Sequence, residues 1–415
     1  MRYDERGCHD AGVLEQDRVL YESHPDLGLV LGRGTDLIAA ALDDSVTLVS
    51  RAKPVQVRFV PGRSVTARFS ATVEVASGDT RVDTFVVSVG LRVASGIAIV
   101  TAHGRDVAVW RYPADPFLPG LPSVTEPTAA GRLLEQVGIE SSGIALRTRA
   151  YRPSRRAVVE IQTPQDRVFA KVVRPAKVAD LQRLHTSLAQ SAPIPMSLGW
   201  SETSGIAMLQ ALGGRSLRTA IEDDEQALPS AGALLDLLGT LKGSRGGPSR
   251  PSLVERVGDH AVFLGTIIPD ARDRVDHIAH TISSMAERED RRAIHGDFHA
   301  SQIMVDQSQI TGLVDIDTVS PGEPTDDLAN FLAHLAALAS ARPDLGPRIS
   351  AYGTELLGVF DVVADPRQLR LRISAALLGY ASGPFRVQET EWRSETTARI
   401  EAAAEWLDAA SVLEH

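Results

Sequence analysis

Two hydrophobic spacings divide the chain. Up to about residue 175, apolar residues come in short β-branched or aromatic runs: Val55–Val60, Val65–Val73, Phe85–Val89, Ile97–Thr101 and Val107–Arg111, broken by Gly, Pro, Asp and Ser. That spacing predicts strands and turns. Beyond about residue 210 the spacing lengthens to that of helices. Pro229–Leu241 carries Leu234, Leu235, Leu237, Leu238 and Leu241, with Pro229 tolerable at the helix start. Asp326–Ala341 places Leu328, Phe331, Leu332, Leu335 and Leu338 on one face. Thr325 is the expected N-cap there, with Asp326 and Asp327 in the first turn, where the helix dipole favours anions. Thr396–Leu413 reads as a last amphipathic helix.

The strand-rich half contains a weak internal repeat. His24-Pro25-Asp26-Leu27 resembles Asp115-Pro116-Phe117-Leu118, and Phe59-Val60-Pro61-Gly62-Arg63 resembles Tyr151-Arg152-Pro153-Ser154-Arg155. The two proline pairs are offset by 91 and 92 residues. Thr84–Val89 also resembles Val168–Val173, at an offset of 84 that needs a gap. A duplicated β-rich unit explains these matches, as does chance similarity of two β-rich stretches. On the duplication, residues 1–110 are the degenerate copy, and Val87 stands where the second copy has Lys171.

Composition narrows the class. Of 415 residues, 43% are hydrophobic and 23% charged, as in globular domains, and the length suggests two or three of them. The net charge of −10 argues against broad nucleic-acid binding, which needs a basic surface. The single cysteine, Cys8, rules out an internal disulfide and a cysteine-based zinc site. No apolar run approaches the ~20 residues of a membrane helix, and the N-terminus does not read as a secretory signal. The expectation is a soluble, cytoplasmic protein that binds neither nucleic acid nor membrane.

The chemistry concentrates in residues 293–335. His295-Gly296-Asp297 is followed by Gln302, then by Gly312-Leu313-Val314-Asp315-Ile316-Asp317, then by Gly322-Glu323-Pro324 and Asp327-Leu328-Ala329 opening a helix. Ile303–Val305 and Leu313-Val314 read as short strands joined by a turn at residues 306–309. That hairpin would gather a carboxylate, an amide oxygen and a second carboxylate into one pocket. Mg²⁺ takes hard oxygen ligands of this kind, completed by phosphate and water. The remaining carboxylate can accept or orient a hydroxyl proton.

The order of these motifs is that of a kinase catalytic loop followed by a metal-binding aspartate. With Gly296 after the histidine and Gln302 at the amide position, the stretch resembles the aminoglycoside phosphotransferase/choline kinase-like family. Asp327–Leu335, with Leu313–Asp317, looks most like actinobacterial maltokinase-like members. The resemblance implies an α+β, protein-kinase-like bilobal fold. It would have an N-terminal β-rich cap (1–125), a β-rich N-lobe (126–212) and a helical C-lobe (213–415), with ATP between the lobes. Carried over, Asp297 is the catalytic base, Gln302 and Asp315 hold Mg²⁺, and Asp317 assists. His295 buttresses the loop, and Asp327 ties it to the helix. Lys171, on the strand Arg167–Val173, resembles the phosphate-pairing lysine. Gln210 and Leu212 stand at the adenine-binding linker. The implied acceptor is a hydroxyl of a sugar, an amino sugar or an aminoglycoside.

Two family features are altered. The predicted helix after Lys171, Val178–Ser191, holds no glutamate to pair with the lysine, only Asp180 at its start. No G-x-G-x-x-G loop is present either. The turn Pro153-Ser154-Arg155-Arg156 would cover the phosphates instead, with Arg155 and Arg156 neutralising charge. A surface turn with two solvated arginines fits the same residues. Further on, Ser382–Gln388 breaks the helical region and leaves Arg386, Gln388 and Glu389 as acceptor contacts, or forms a structural turn plugged by Phe385. Trp392 could stack on a sugar or sit in the core. The missing helix glutamate and Gln302 at the amide position also suit a nucleotide-binding pseudokinase, the alternative from another class. Nucleotidyl rather than phosphoryl transfer is a third possibility.

Overall fold

The alternation in the first half becomes antiparallel sheet in a computed structural model. It describes residues 15–43, 45–92, 96–223, 227–242 and 248–413; Cys8 lies outside them. Three short helices come first: α1 (Glu15–Ser23), α2 (Pro25–Gly32) and α3 (Gly34–Ala41). Six strands follow: β1 (Val46–Leu48), β2 (Lys53–Val60), β3 (Ser64–Val75), β4 (Thr80–Val89), β5 (Ala98–Ala102) and β6 (Arg105–Arg111). They form one sheet in the order β1-β3-β4-β6-β5, with β2 also paired to β3. Phe85–Val89 of β4 is buried on both faces, and α2 and α3 pack on this strand.

Those helices depart from the expected run of strands. Each has at most nine residues, too few for a helical period to stand out. Pro25, which reads as a turn signal, occupies the first helical turn, where its missing N–H costs nothing. Burial of Leu27, Val30, Leu37 and Ile38 then stabilises helices that would be marginal alone. Two more short helices, α4 (Leu121–Thr125) and α5 (Pro127–Gln136), precede the second set of strands.

Strands β7 (Ala145–Arg152), β8 (Arg156–Gln162) and β9 (Arg167–Val173) are consecutive and antiparallel. They repeat β2, β3 and β4 residue for residue at the turn. Val60 pairs with Ser64 across one hairpin and Arg152 with Arg156 across the other. Gly62 and Ser154 hold the same left-handed position, φ +69° and +61°. Counting from the turns, Thr66 corresponds to Val158, and their partners are Ser88 and Lys171. Ser88, not Val87, therefore stands where the second copy has its lysine. Matching Phe85 to Phe169 by residue type displaces the register by one. The His24/Asp115 match does not hold either, since Pro25 opens a helix and Pro116 lies in a turn.

The remaining elements are mainly helical. α6 (Pro175–Leu188) precedes β10 (Ser197–Ser201), β11 (Ile206–Gln210) and β12 (Arg215–Ser216). Then come α7 (Leu217–Glu222), α8 (Ala231–Gly239), α9 (Leu253–Ile267) and α10 (Arg272–Met285). β13 (Arg292–Ile294) pairs with β16 (Ser320–Gly322), and between them β14 (Ile303–Asp306) and β15 (Gln309–Leu313) form the expected hairpin. α11 (Pro324–Ala341), α12 (Gly346–Val363), α13 (Pro366–Ala381), α14 (Gly383–Arg386) and α15 (Trp392–Val412) complete the chain. α11 begins two residues earlier than expected: Pro324 takes its first position, Glu323 is the N-cap, and Thr325 lies inside.

By its internal contacts the chain separates into two units. One comprises Met1–Val178, Ser201–Ile206 and Pro384–Trp392; the other comprises Ala179–Trp200, Ala207–Gly383 and Arg393–His415. The first is β-rich and the second helical, so the chain is mixed α/β. No helix among the described residues is long and apolar enough to cross a membrane.

Candidate active site

In the helical unit the site is built on the N-terminus of α11. The Asp327 carboxylate accepts from the backbone N–H of His295 (2.6 Å) and of Gly296 (2.8 Å). Burial lifts its pKa to about 7, against the pull of those two donors. Gly296 has φ +75°, and a Cβ there would stand 2.9 Å from Thr318 O, so only glycine closes this bend without strain. Thr318 Oγ1 donates to His295 O (2.7 Å). The His295 ring is fully buried and bonds Val314 O through Nε2 (3.2 Å), while burial lowers its pKa. A buried ring held as neutral imidazole is a brace rather than an acid.

Beneath the loop lies a buried charge cluster. Arg372 is fully buried; its Nη2 stands 2.6 Å from Glu323 Oε2 and 3.4 Å from Glu289 Oε1, and its Nε 3.5 Å from Asp326 Oδ1. Asp326 accepts from Leu253 N (3.0 Å), and burial raises its pKa to about 7. The expected first-turn aspartates of α11 are thus buried anchors. The sequence offers no sign of Arg372, because arginine usually marks a surface.

Asp297, next in the loop, is 41% exposed at its side chain, with His299 Nε2 3.8 Å from its Oδ1. His299 stacks on His334 with centroids 4.5 Å apart, and burial brings the His334 pKa down to about 3. Asn330 donates to Phe298 O (3.0 Å) and accepts from the Tyr380 hydroxyl (3.0 Å), bracing the loop from α11 and α13. Arg256 on α9 lies in electrostatic range of Asp326 and Asp297, and burial lowers its pKa. With Arg250, Gly296, Asp326, Asp327 and Asn330 it lines a cavity of about 20 Å³, room for one water. Arg256 and Tyr380 belong to no motif, and Asn330, inside the Asp327–Leu335 stretch, shows its bracing contacts only in coordinates.

The candidate metal residues follow. Val314 N donates to Gln302 O (2.8 Å), joining the loop to the segment that carries Asp315 and Asp317. Asp315 has a left-handed backbone, φ 57° and ψ 44°, a conformation that costs a non-glycine residue energy and recurs at functional sites. Asp317 lies in the following turn of 3₁₀ helix, Ile316–Thr318. No three His, Cys, Asp or Glu side chains among the described residues cluster as a metal cage. An amide oxygen and one or two carboxylates, completed by phosphate and water, are the donor set that suits Mg²⁺.

Gln210 is exposed and its N–H donates to Met196 O (2.9 Å). Leu212 packs on the backbone of Gly312 in β15, where a Cβ would come within 2.5 Å of its methyl. Lys171 and Arg155 belong to the β-rich unit. Lys171 is buried on β9, while Arg155 sits at the tip of the β7–β8 turn. Desolvation and the charges of Arg58, Arg152, Arg156 and Arg174 lower the Arg155 pKa. Asp180 is exposed and pairs with Arg183. Phe385 and Trp392 are buried edge to face at 4.9 Å, so Trp392 is no free stacking platform for a sugar.

Comparison with curated proteins returned no match. Among solved structures, a thermostable mutant of aminoglycoside phosphotransferase APH(4)-Ia, in ternary complex with AMP-PNP and hygromycin B, is 15% identical. It aligns at a TM-score of 0.48 over 67% of this chain and 98% of its own. The GDP and kanamycin complex of APH(2")-IIia is 16% identical, with TM-score 0.46 over 68% and 99%. A putative aminoglycoside phosphotransferase from Ralstonia eutropha is 14% identical, with TM-score 0.43 over 69% and 97%. The family described as phosphotransferase enzyme family matches residues 152–370, more than half of the chain and the whole of the loop built above. The chain belongs to the phosphotransferase enzyme family.

Proposed function

We propose that the chain is an ATP-dependent small-molecule kinase. It transfers the γ-phosphoryl group to a hydroxyl of a sugar, an amino sugar or an aminoglycoside. A sugar stands first, on the maltokinase-like motifs at Leu313–Asp317 and Asp327–Leu335. One observation carries this reading: Asp327 clamps the amides of His295 and Gly296 and leaves Asp297 exposed to a substrate. Phosphoryl transfer needs mainly alignment and charge neutralisation, which a clamped loop supplies.

In this reading Asp297 orients the acceptor hydroxyl and takes its proton. Gln302 and Asp315 hold Mg²⁺, with Asp317 assisting. Mg²⁺, when bound, neutralises charge on the phosphate oxygens. Lys171 and Arg155 contact the phosphates, and Gln210 and Leu212 offer backbone groups to adenine. His299 Nδ1 accepts from Ser301 N (3.2 Å), so a neutral ring carries its proton on Nε2, which stands 3.8 Å from Asp297 Oδ1. Residues 1–125 form the cap, a degenerate copy of the N-lobe unit; 126–212 form the N-lobe and 213–415 the C-lobe. The shared hairpin register supports the duplication.

Transfer from radiolabelled ATP across sugars, amino sugars and aminoglycosides tests the proposal. At least one acceptor is expected to be labelled, and Asp297→Asn should lower kcat by roughly 10²–10⁴-fold with little change in the ATP KM. Equal rates in the two proteins would make the chain a nucleotide-binding pseudokinase.

A further inference from the structure

The turn that replaces a glycine-rich loop is built unusually. Ser154 holds φ +61°, which a residue with a Cβ adopts only at a cost, and it is 2% exposed. Its N–H donates to Asp115 Oδ2 (2.8 Å), and its carbonyl accepts from Arg174 Nε (2.7 Å). Asp115 is itself buried. The same Oδ2 accepts from the Tyr151 hydroxyl (2.8 Å), and Oδ1 accepts from Phe117 N (2.9 Å). Tyr151 in turn accepts from Trp110 Nε1 on β6 (3.1 Å). The Arg174 guanidinium lies over the Phe117 ring at 4.8 Å. One carboxylate, outside the hairpin in sequence, therefore receives a donor from the tip of the turn and another from strand β7. Residues on either side of Asp115 fasten the same assembly at two more points.

We infer that Asp115 is a positioning residue for nucleotide binding, holding the Pro153–Arg156 turn in the shape that presents Arg155 to the phosphates. The inference rests on the proposed role of that turn. Glycine-rich loops approach phosphates with flexible backbone and free amides. Here the amide of Ser154 is spent on Asp115, so the turn offers an arginine on a fixed backbone in place of a backbone cradle. The first copy shows what the staple replaces. Gly62 adopts the same conformation with nothing within 4 Å of its missing Cβ. Glycine takes this conformation without penalty, and Ser154 takes it with a carboxylate holding it there.

The test is steady-state kinetics of the full-length chain, with the labelled acceptor and ATP varied independently. Asp115→Ala is expected to raise the ATP KM about tenfold, the effect of one lost charge-assisted bond. The acceptor KM and kcat should stay within about threefold. Adding Ser154→Gly should restore most of the ATP KM, because glycine needs no staple. A merely structural aspartate would lower thermal stability and degrade all three parameters together, and glycine at 154 would rescue none of them. Asp115→Asn keeps the side chain's shape but turns an amide NH₂ toward its donors. It should show a smaller rise in the same parameter, and it decides the matter if the alanine variant does not fold. Arg155→Ala separates the two layers. If it raises the ATP KM while neither Asp115 variant does, the staple is refuted and the turn's role stands. If all three leave the ATP KM unchanged, the turn is no nucleotide element and both ideas fall.

Discussion

Two hairpins of one chain carry the same backbone and different chemistry. β2–β3 and β7–β8 turn through the sequences Pro61-Gly62-Arg63 and Pro153-Ser154-Arg155, with matching register into the third strand of each set. In the first copy the turn is exposed and glycine supplies the left-handed residue, and the third strand places Ser88 at the site in question. In the second the turn is stapled by Asp115 and ringed by arginines, and the third strand places Lys171 there. Two hairpins alike in this way hold their geometry through backbone pairing and close packing, and differ in a handful of side chains.

The lysine carries the largest expected difference. Lys171→Met should lower kcat/KM for ATP by about 10²–10³-fold, the usual cost of removing a fixed cation or donor from a charged transition state. Ser88 stands at the corresponding place and does something else. Its hydroxyl lies 2.8 Å from Thr66 Oγ1 and donates to Val65 O (3.1 Å), inside the sheet core. Ser88→Ala should therefore cost about 1 kcal/mol in urea denaturation and leave phosphoryl transfer untouched. Loss of activity in both variants would mean that the first copy has kept a catalytic duty.

Next comes the arginine after each turn. Arg155→Ala should raise the ATP KM about tenfold, as expected for a screened but directional phosphate contact. Arg63, exposed at the matching position, should be replaceable by alanine with no change in either KM. The Arg155 effect should shrink as salt rises from ~0.05 to ~0.5 M, because exposed charges are screened over about a Debye length. An effect indifferent to salt would place Arg155 in packing rather than in phosphate binding.

How much of this the sequence reveals depends on the range of the interaction involved. Short-range patterns read well. The β-branched runs of β2–β6, the hairpin at residues 303–313 and the long apolar face of α11 each announce themselves within a few residues. The loop His295–Gln302 reads well too, because its chemistry depends on fixed spacing. Features decided by tertiary partners do not. α2 and α3 are too short to show a period and owe their stability to packing on a sheet. Arg372 gives no sign in the sequence and Asp326 reads as a first-turn anion, yet both are buried, since only the fold supplies the carboxylates and amides that compensate them. Residue resemblance paired Lys171 with Val87, because Phe85 and Phe169 look alike. Register, which is set by hydrogen bonds across the strands, pairs it with Ser88. Asp115 read only as part of the repeat match at Asp115–Leu118, and its partner at the tip of a hairpin lies 39 residues away.

The smallest effect concerns the left-handed residue itself. Gly62 has φ +69° and open space where its Cβ would be, so a side chain there meets no clash and bears only the backbone penalty. Gly62→Ser should destabilise the chain by roughly 1 kcal/mol, and Gly62→Asn by less, since asparagine tolerates this region better. At Ser154 the balance is different. Ser154→Gly relieves the same backbone penalty but adds about 0.5–1 kcal/mol of unfolded-state entropy, and the amide bond to Asp115 remains available. The two terms nearly cancel, so its stability change should fall within about 0.5 kcal/mol of zero. In an Asp115→Ala background serine is free to leave the left-handed conformation, so glycine has less penalty to relieve while its unfolded-state entropy term stays. There Ser154→Gly should become destabilising, by about 0.5–1 kcal/mol at most. Equal values in the two backgrounds would show that Asp115 and the turn are not coupled.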